Sequence, residues 1–331
     1  MKTKLKGISY SKYGYLFSIP FVVAFLIFTL YPTVYTAILG FTDCRGVNND
    51  NFHLLQGDKL ENYKLILQND SFRVSLKNTV AIWIMNFIPQ ITIALLLTAW
   101  FTSHSNEIKG KGFFKVVFYM PNIITAATVA ILFQTLFSYP IGPVNDLLVR
   151  SGIKDEAYYF FTNKMASRLI VVFIQFWTWY GNTMIVLISG VLGISPDIYE
   201  AAEIDGANGV QTFFRITIPN IKTVLLYTLV TSLVGGLNMF DIPFLLVNGG
   251  GPDRATLTTS VFIYKQAFSN SYLYNRASAA SMLMWIIIAA LSGVLFFIMR
   301  DKEQIQAEKE IKRARKEARR ASKGGVNQWQ W

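Results

Sequence analysis

The chain has 331 residues, 52% of them hydrophobic and only 15% charged, with a formal net charge of +11 and one cysteine. A soluble domain carries about a quarter of its residues as charges, so this composition excludes an ordinary soluble globular protein, and the lone Cys44 excludes an intrachain disulfide. Recurrent apolar runs of roughly 20 residues predict membrane-spanning helices, where a transmembrane β-barrel would show alternating segments of about ten.

The predicted spans, in chain order, are 14–41, 78–101, 116–137, 169–194, 223–247 and 277–299. The first is too long for a signal peptide, is interrupted by Pro20 and Pro32, and has no small-x-small cleavage site after it. It reads as an uncleaved anchor that is also the first helix. Segment 42–77 follows, and "FHLLQGDKLENYKLIL" within it predicts a short helix at the surface. The next connection contains "GKG", but Gly112 stands where a Walker A motif needs Ser or Thr, so no phosphate loop is expected. "SYPIGPVNDLL" between spans three and four predicts a turn and a short amphipathic helix. "NGGGPDRATLTTS" after span five predicts a chain reversal. Span six opens with Ala277 and Ser281, a small-x-x-x-small pair whose expected use is packing within this subunit.

Basic residues are distributed unevenly. Lys2, Lys4, Lys6 and Lys12, then Lys109, Lys111 and Lys115, then Arg215 and Lys222, and a strongly basic tail all fall on one side of a six-span layout. The positive-inside rule makes that side cytoplasmic. The expected architecture is an all-α polytopic membrane protein with both termini in the cytoplasm. It comprises an N-terminal segment 1–13, a six-helix domain 14–299 and a basic helical tail 300–331, in which Glu308 lies four residues before Lys312. The charge thus serves orientation, and no nucleic-acid partner is expected. His53 and His104 fall on opposite sides, and the carboxylates do not cluster. No catalytic or metal centre is expected.

Between spans four and five lies "YEAAEIDGANG", residues 199–209. Ser195 is placed to cap and Pro196 suits a first helical position. A short helix over about 197–205 is expected, then a tight turn at Gly206, then a second helix over about 209–217 carrying Val210, Phe213 and Phe214, ended by Pro219. Ala201 and Ala202 between Glu200 and Glu203 would form a smooth ridge edged with acids, a shape suited to a groove on another protein.

Here the chain resembles the permeases of binding-protein-dependent ABC importers. Their cytoplasmic loop follows the pattern E-A-A, three residues, G, nine residues, I-x-L-P. This sequence has Glu200-Ala201-Ala202, Gly206 and Ile216-Thr217-Ile218-Pro219 at that spacing, with Ile218 in place of leucine. "SFRVSLKNTV", "FYMPNIITAATVAILFQTLF", "GLNMFDIPFLLVNGGGPD" and "YKQAFSNSYLYNRASAASMLM" are similar to carbohydrate-uptake members, in the manner of the larger permease subunit of the maltose transporter without its extra leading helices. Two stretches depart from the family: Ile194-Ser195 where Ile-Pro is usual, and Tyr274-Asn275-Arg276 where a glycine is usual.

The resemblance implies the type I ABC importer permease fold. It implies that segment 195–220 is the coupling loop, in which Glu200, Ala201, Ala202, Glu203, Asp205, Gly206 and Pro219 meet a separate ATPase. The implied partners are a second homologous permease, two cytoplasmic ATPase subunits that bind ATP and Mg, an extracytoplasmic solute-binding protein, the sugar and membrane lipid. No cofactor is expected in this chain. A secondary transporter or channel is the competing class, but such proteins carry ion-pathway charges in their spans, and here Asp241 alone lies within one.

Sugars are bound by planar hydrogen-bonding groups beside aromatic faces. Three clusters within spans qualify: Asn122 after Pro121; Gln175, Thr178, Trp179 and Asn182, which share one helical face; and Asn238 with Asp241 before Pro243. The resemblance places sugar contacts at these positions. Asp241 also has a purely structural alternative, capping a broken helix.

Overall fold

The computed structural model describes residues 11–46, 52–103, 109–269, 272–299 and 310–317. Among them the structure is helical, with one isolated bridge between Thr42 and Leu54. Helix α1 (11–39) consists of Ser11–Phe25, a π turn Leu26–Leu30 and Tyr31–Leu39. The π turn lies just before Pro32, which has no N–H to give and whose ring crowds the preceding turn. There Tyr31 N–H donates instead to Leu26 O, five residues back. The side chains of α1 are exposed along most of its length, and Tyr31–Leu39 lies against the last helix.

The helices that follow are α2 (Glu61–Gln68), α3 (Asp70–Thr102), α4 (Lys111–Ile123), α5 (Ala126–Leu136), α6 (Pro143–Arg150) and α7 (Lys164–Leu192). Then come α8 (Pro196–Ile204), α9 (209–220, with a π turn at Phe213–Thr217), α10 (Lys222–Leu237), α11 (Asp241–Leu246), α12 (Thr259–Phe268) and α13 (Tyr274–Met299). At about 1.5 Å per residue, α3 exceeds the hydrocarbon core of about 30 Å, so its ends project beyond it. Helices α3 and α7 form the central pair. In lipid, helices are held by packing and interhelical hydrogen bonds. Here Ala94, Phe101, Met184 and Leu187 interlock at one level, and Gln90 Nε2 donates to Thr183 Oγ1 at 2.8 Å at another. Helix α4 reaches α7 at Gly181, where a Cβ would run into the carbonyl of Phe118.

Two expected spans are broken. Residues 116–137 are not one helix: α4 and α5 meet at 90°. Ile124 and Thr125 are extended, and Thr125 Oγ1 accepts the Thr128 N–H, capping α5 afresh. Pro121 and a β-branched run, Ile123-Ile124-Thr125, favour the break locally. The fifth span divides at 238–240 into α10 and α11.

The expected reversal after α11 is sharp. Asn248, Asp253 and Arg254 have positive φ, as do Gly249, Gly250 and Gly251. Asp253 pairs with Lys164 at 2.7 Å and Arg254 with Asp70 at 2.8 Å. Arg168 donates to Ala255 O and Asn78 Oδ1, and Thr79 meets Thr259. The loop is thereby tied to α3 and α7. The Lys164 ammonium holds the Asp253 carboxyl below its usual range.

The small pair of span six packs within this chain, as expected. Ala277, Ala279 and Ala280 are buried, the Ala279 backbone lies beside Gly40, and Ser281 Oγ donates to Ala277 O. The departure Tyr274-Asn275-Arg276 carries a clamp. Asn275 Nδ2 donates to Asn62 Oδ1 at 3.0 Å, and Asn62 Nδ2 reaches Gly40 O and Thr42 O. Both amides are fully buried. Asn275→Ala leaves a buried acceptor without its donor, a loss of about 1–3 kcal/mol. We expect a lower thermal midpoint of the purified protein, and an unchanged midpoint would show that the clamp holds nothing.

The expected surface helices correspond to α2 and α6. Of the tail, 310–317 is described, and it is helical and exposed. Glu308, His104 and residues 1–10 lie outside the described residues.

Candidate functional site: a polar cavity and a bent helix pair

All the residues singled out for the sugar line one cavity of about 550 Å³. Asn122 comes from the end of α4. Gln175, Thr178, Trp179 and Asn182 come from one face of α7. Asn238 and Asp241 flank the break between α10 and α11. Both helix breaks therefore open onto the same space. Interrupted backbone at membrane depth is tolerated where it lines such a space or is buried in protein. Asp241 is the first residue of α11 and faces the cavity; the N-cap position is held by Phe240 and no side chain caps the helix, so the capping alternative is not what the geometry shows. A carboxylate at mid-membrane costs about 2.5–3.5 kcal/mol on insertion scales, and a cavity relieves that cost.

Trp179 is 48% exposed and presents its ring. Asn122 Nδ2 donates to Thr178 O at 3.3 Å, and Asn238 Nδ2 to Val234 O at 2.8 Å. Thr178 Oγ1 is buried without a hydrogen-bond partner among the described residues.

The wall has a part that sequence reasoning missed. Helix α3 contributes Trp83, Asn86 and Gln90, and α10 contributes Tyr227, Thr231 and Ser232. Trp83 Nε1 donates to Ser232 Oγ at 3.3 Å. Its indole lies directly on Gly236, where any Cβ would overlap the ring. The available signal was the spacing of Trp83, Asn86 and Gln90, three and four apart inside an apolar run.

The second element is the segment between α7 and α10. Helix α8 starts with Pro196 as expected. Ser195 occupies the cap position but does not cap: its hydroxyl donates to Asp197 Oδ2 at 3.3 Å. The helix ends in a Schellman motif. Gly206 has φ +74°, Gly206 N–H donates to Glu203 O, and Ala207 N–H donates to Ala202 O. Two residues on, Asn208 and Gln211 form a reciprocal capping box that starts α9. These two devices fix the bend, and the link from Tyr199 OH to Thr217 Oγ1 at 3.2 Å braces it.

Glu200, Ala201, Glu203, Asp205, Gly206 and Pro219 are exposed. Ala202 is buried, which corrects the expected ridge: one alanine faces out and the other is the packing contact underneath. Likewise Val210 and Phe214 are exposed, while Phe213 is half-buried. Ile204, at 86% exposure, adds to an apolar surface edged by Glu200 and Glu203.

Residues 70–302 match the family model described as binding-protein-dependent transport system inner membrane component. The chain is 30% identical to the lactose transport system permease protein LacF of Rhizobium radiobacter, over 89% of this chain and 96% of that protein. It is 29% identical to the arabinooligosaccharides transport system permease protein AraP of Bacillus subtilis, over 86% and 89%. The fold is similar to a chain in the crystal structure of a bacterial ABC transporter involved in the import of the acidic polysaccharide alginate. That comparison has a TM-score of 0.71 and 24% identity, and covers 88% of this chain and 96% of that one. The family model spans 70–302 and the lactose permease relative aligns over 89% of the chain, and with that coverage this protein belongs to the inner membrane permease components of binding-protein-dependent transport systems.

Proposed function

We propose that this chain is the permease subunit of an ATP-driven importer of a sugar or oligosaccharide, supplying half of the translocation path. The observation that carries this reading is the convergence of Asn122, Gln175, Thr178, Trp179, Asn182, Asn238 and Asp241, from three spans, on one amide-rich and aromatic cavity. The relatives, which include permease proteins of lactose, arabinooligosaccharide and multiple-sugar transport systems, support the substrate class. The low content of ionisable groups in the cavity disfavours a secondary transporter.

In this reading both termini and the α8–α9 pair are cytoplasmic, consistent with the charge distribution. A second, similar permease completes the path. Two ATPase subunits bind ATP and Mg, and one of them takes Glu200, Ala201 and the exposed apolar residues of α8 and α9 into a groove. A loaded solute-binding protein docks on the opposite side. Closure of the ATPase dimer moves α8, and the cavity opens outward to accept the sugar. Hydrolysis resets it. The chain itself performs no nucleotide chemistry.

The test is a cross-link. Cys44 is buried, so Ala201→Cys provides a single accessible thiol on the exposed face of α8. With a cysteine-bearing ATPase subunit expressed alongside, a disulfide between the two is expected, and its yield should change when ATP is added. No cross-link from Ala201→Cys, with a stable complex still recovered, would place the ATPase contact elsewhere.

A further inference from the structure

The cavity is electrostatically one-sided. Among its lining residues Asp241 is the single Asp, Glu, Lys, Arg or His. Its carboxylate has no ion-pair partner among the described residues. The amides around it are neutral and partly committed. Asn86 Nδ2 donates to Ile82 O, Gln90 Nε2 to Thr183 Oγ1, Asn122 Nδ2 to Thr178 O, and Asn238 Nδ2 to Val234 O. Each of these amides keeps a second N–H and its carbonyl oxygen, so the neutral lining can donate and accept, and the sign of the cavity is set by Asp241. Trp83 spends its one N–H on Ser232. Neutral hydroxyls of a sugar can satisfy such acceptors, and so can an ammonium. A carboxylate finds hydrogen-bond donors there too, but it faces Asp241 with no cation beside it among the lining residues, in a cleft whose low-dielectric walls concentrate the field.

We propose that Asp241 is a charge filter: this cavity takes neutral and amine-bearing saccharides and rejects uronic acids. The proposal rests on the saccharide reading above and narrows it. Discrimination comes from an element that repels the wrong ligand as well as from contacts to the right one.

Equilibrium binding to the full-length chain, purified with its partner permease and ATPase subunits and without the solute-binding protein, isolates this cavity from recognition outside the membrane. The probes are lactose, the cationic disaccharide chitobiose and the anionic disaccharide digalacturonate, read by saturation-transfer NMR. Lactose and chitobiose are expected to bind, with digalacturonate at least about tenfold weaker, since one unfavourable charge contact of about 1.4 kcal/mol gives that ratio. Asp241→Asn and Asp241→Ser should close most of the gap between digalacturonate and lactose and remove any preference for chitobiose. Asp241→Glu should keep both. Equal binding of digalacturonate and lactose in the unaltered protein, or an unchanged gap in the neutral variants, overturns the filter and leaves the saccharide reading intact. Failure of all three sugars to bind the unaltered protein overturns that reading, and the filter with it.

Discussion

Gly206→Val is expected to abolish uptake and the ATP hydrolysis stimulated by a loaded binding protein, while the chain still reaches the membrane. The reason lies in the backbone, since a Cβ at Gly206 would meet no atom within 4 Å. What valine cannot tolerate is φ +74°. The left-handed region costs a residue with a Cβ about 1–2 kcal/mol, and a β-branched one is a genuine outlier there. Relaxing to negative φ breaks the paired bonds from Gly206 and Ala207 to α8 and re-aims α8 relative to α9. Asparagine, which visits this region, should retain most activity, so the expected order is Gly, Asn, Ala, Val. Glu200→Lys tests the same joint by charge. Glu200 is exposed, so the change should leave folding intact and still remove stimulation. Normal stimulation in both Gly206→Val and Glu200→Lys would remove the coupling role from this segment.

The second large effect concerns the cavity. Trp179→Ala and Asn238→Ala should each lower uptake at limiting substrate by at least about tenfold, the loss expected for removing one aromatic face or one hydrogen-bonding partner worth roughly 1.5 kcal/mol from a binding site. Both side chains are exposed to the cavity, so neither truncation leaves a void in the core. The amount of assembled complex in the membrane should match that of the unaltered protein. Unchanged uptake in both variants, at equal protein and limiting substrate, would move recognition to the partner permease.

Much of this was legible in the residues themselves. Long apolar runs mark spans because an isolated backbone in lipid must satisfy its own hydrogen bonds, and the runs at α3, α7 and α13 read directly. The joint was legible because its parts are local. Pro196 at a first helical position and Gly206 as a helix stop are short-range signals with one physical meaning each, while the Asn208–Gln211 box that starts α9 is a local signal that sequence reasoning missed.

The bend at Ile124 and Thr125 was not legible from hydropathy, because α4 and α5 together are as apolar as one straight helix. Pro121, the β-branched run and the cap at Thr125 mark it only weakly: Pro89 sits inside the unbroken α3, and a threonine in a span more often bonds to its own helix. The α3 wall of the cavity was missed for a related reason. Trp83, Asn86 and Gln90 lie on a helix that reads as largely apolar, and which of its faces borders the cavity is set by contacts such as that of the Trp83 indole with Gly236. Contacts of that kind are set by tertiary packing, which no window of sequence contains. Ala202 shows the same limit in small: its neighbour Ala201 is exposed, and only the bend decides which of the two is covered.

The most direct measurement is sugar uptake into proteoliposomes that hold this chain with its partner permease and ATPase subunits, with ATP enclosed and the solute-binding protein outside. Accumulation of a neutral oligosaccharide is expected only when ATP and the loaded binding protein are both present, and it should be lost in Gly206→Val. Accumulation driven by an ion gradient without ATP, or equal accumulation with the binding protein left out, would contradict an ATP-driven, binding-protein-dependent permease.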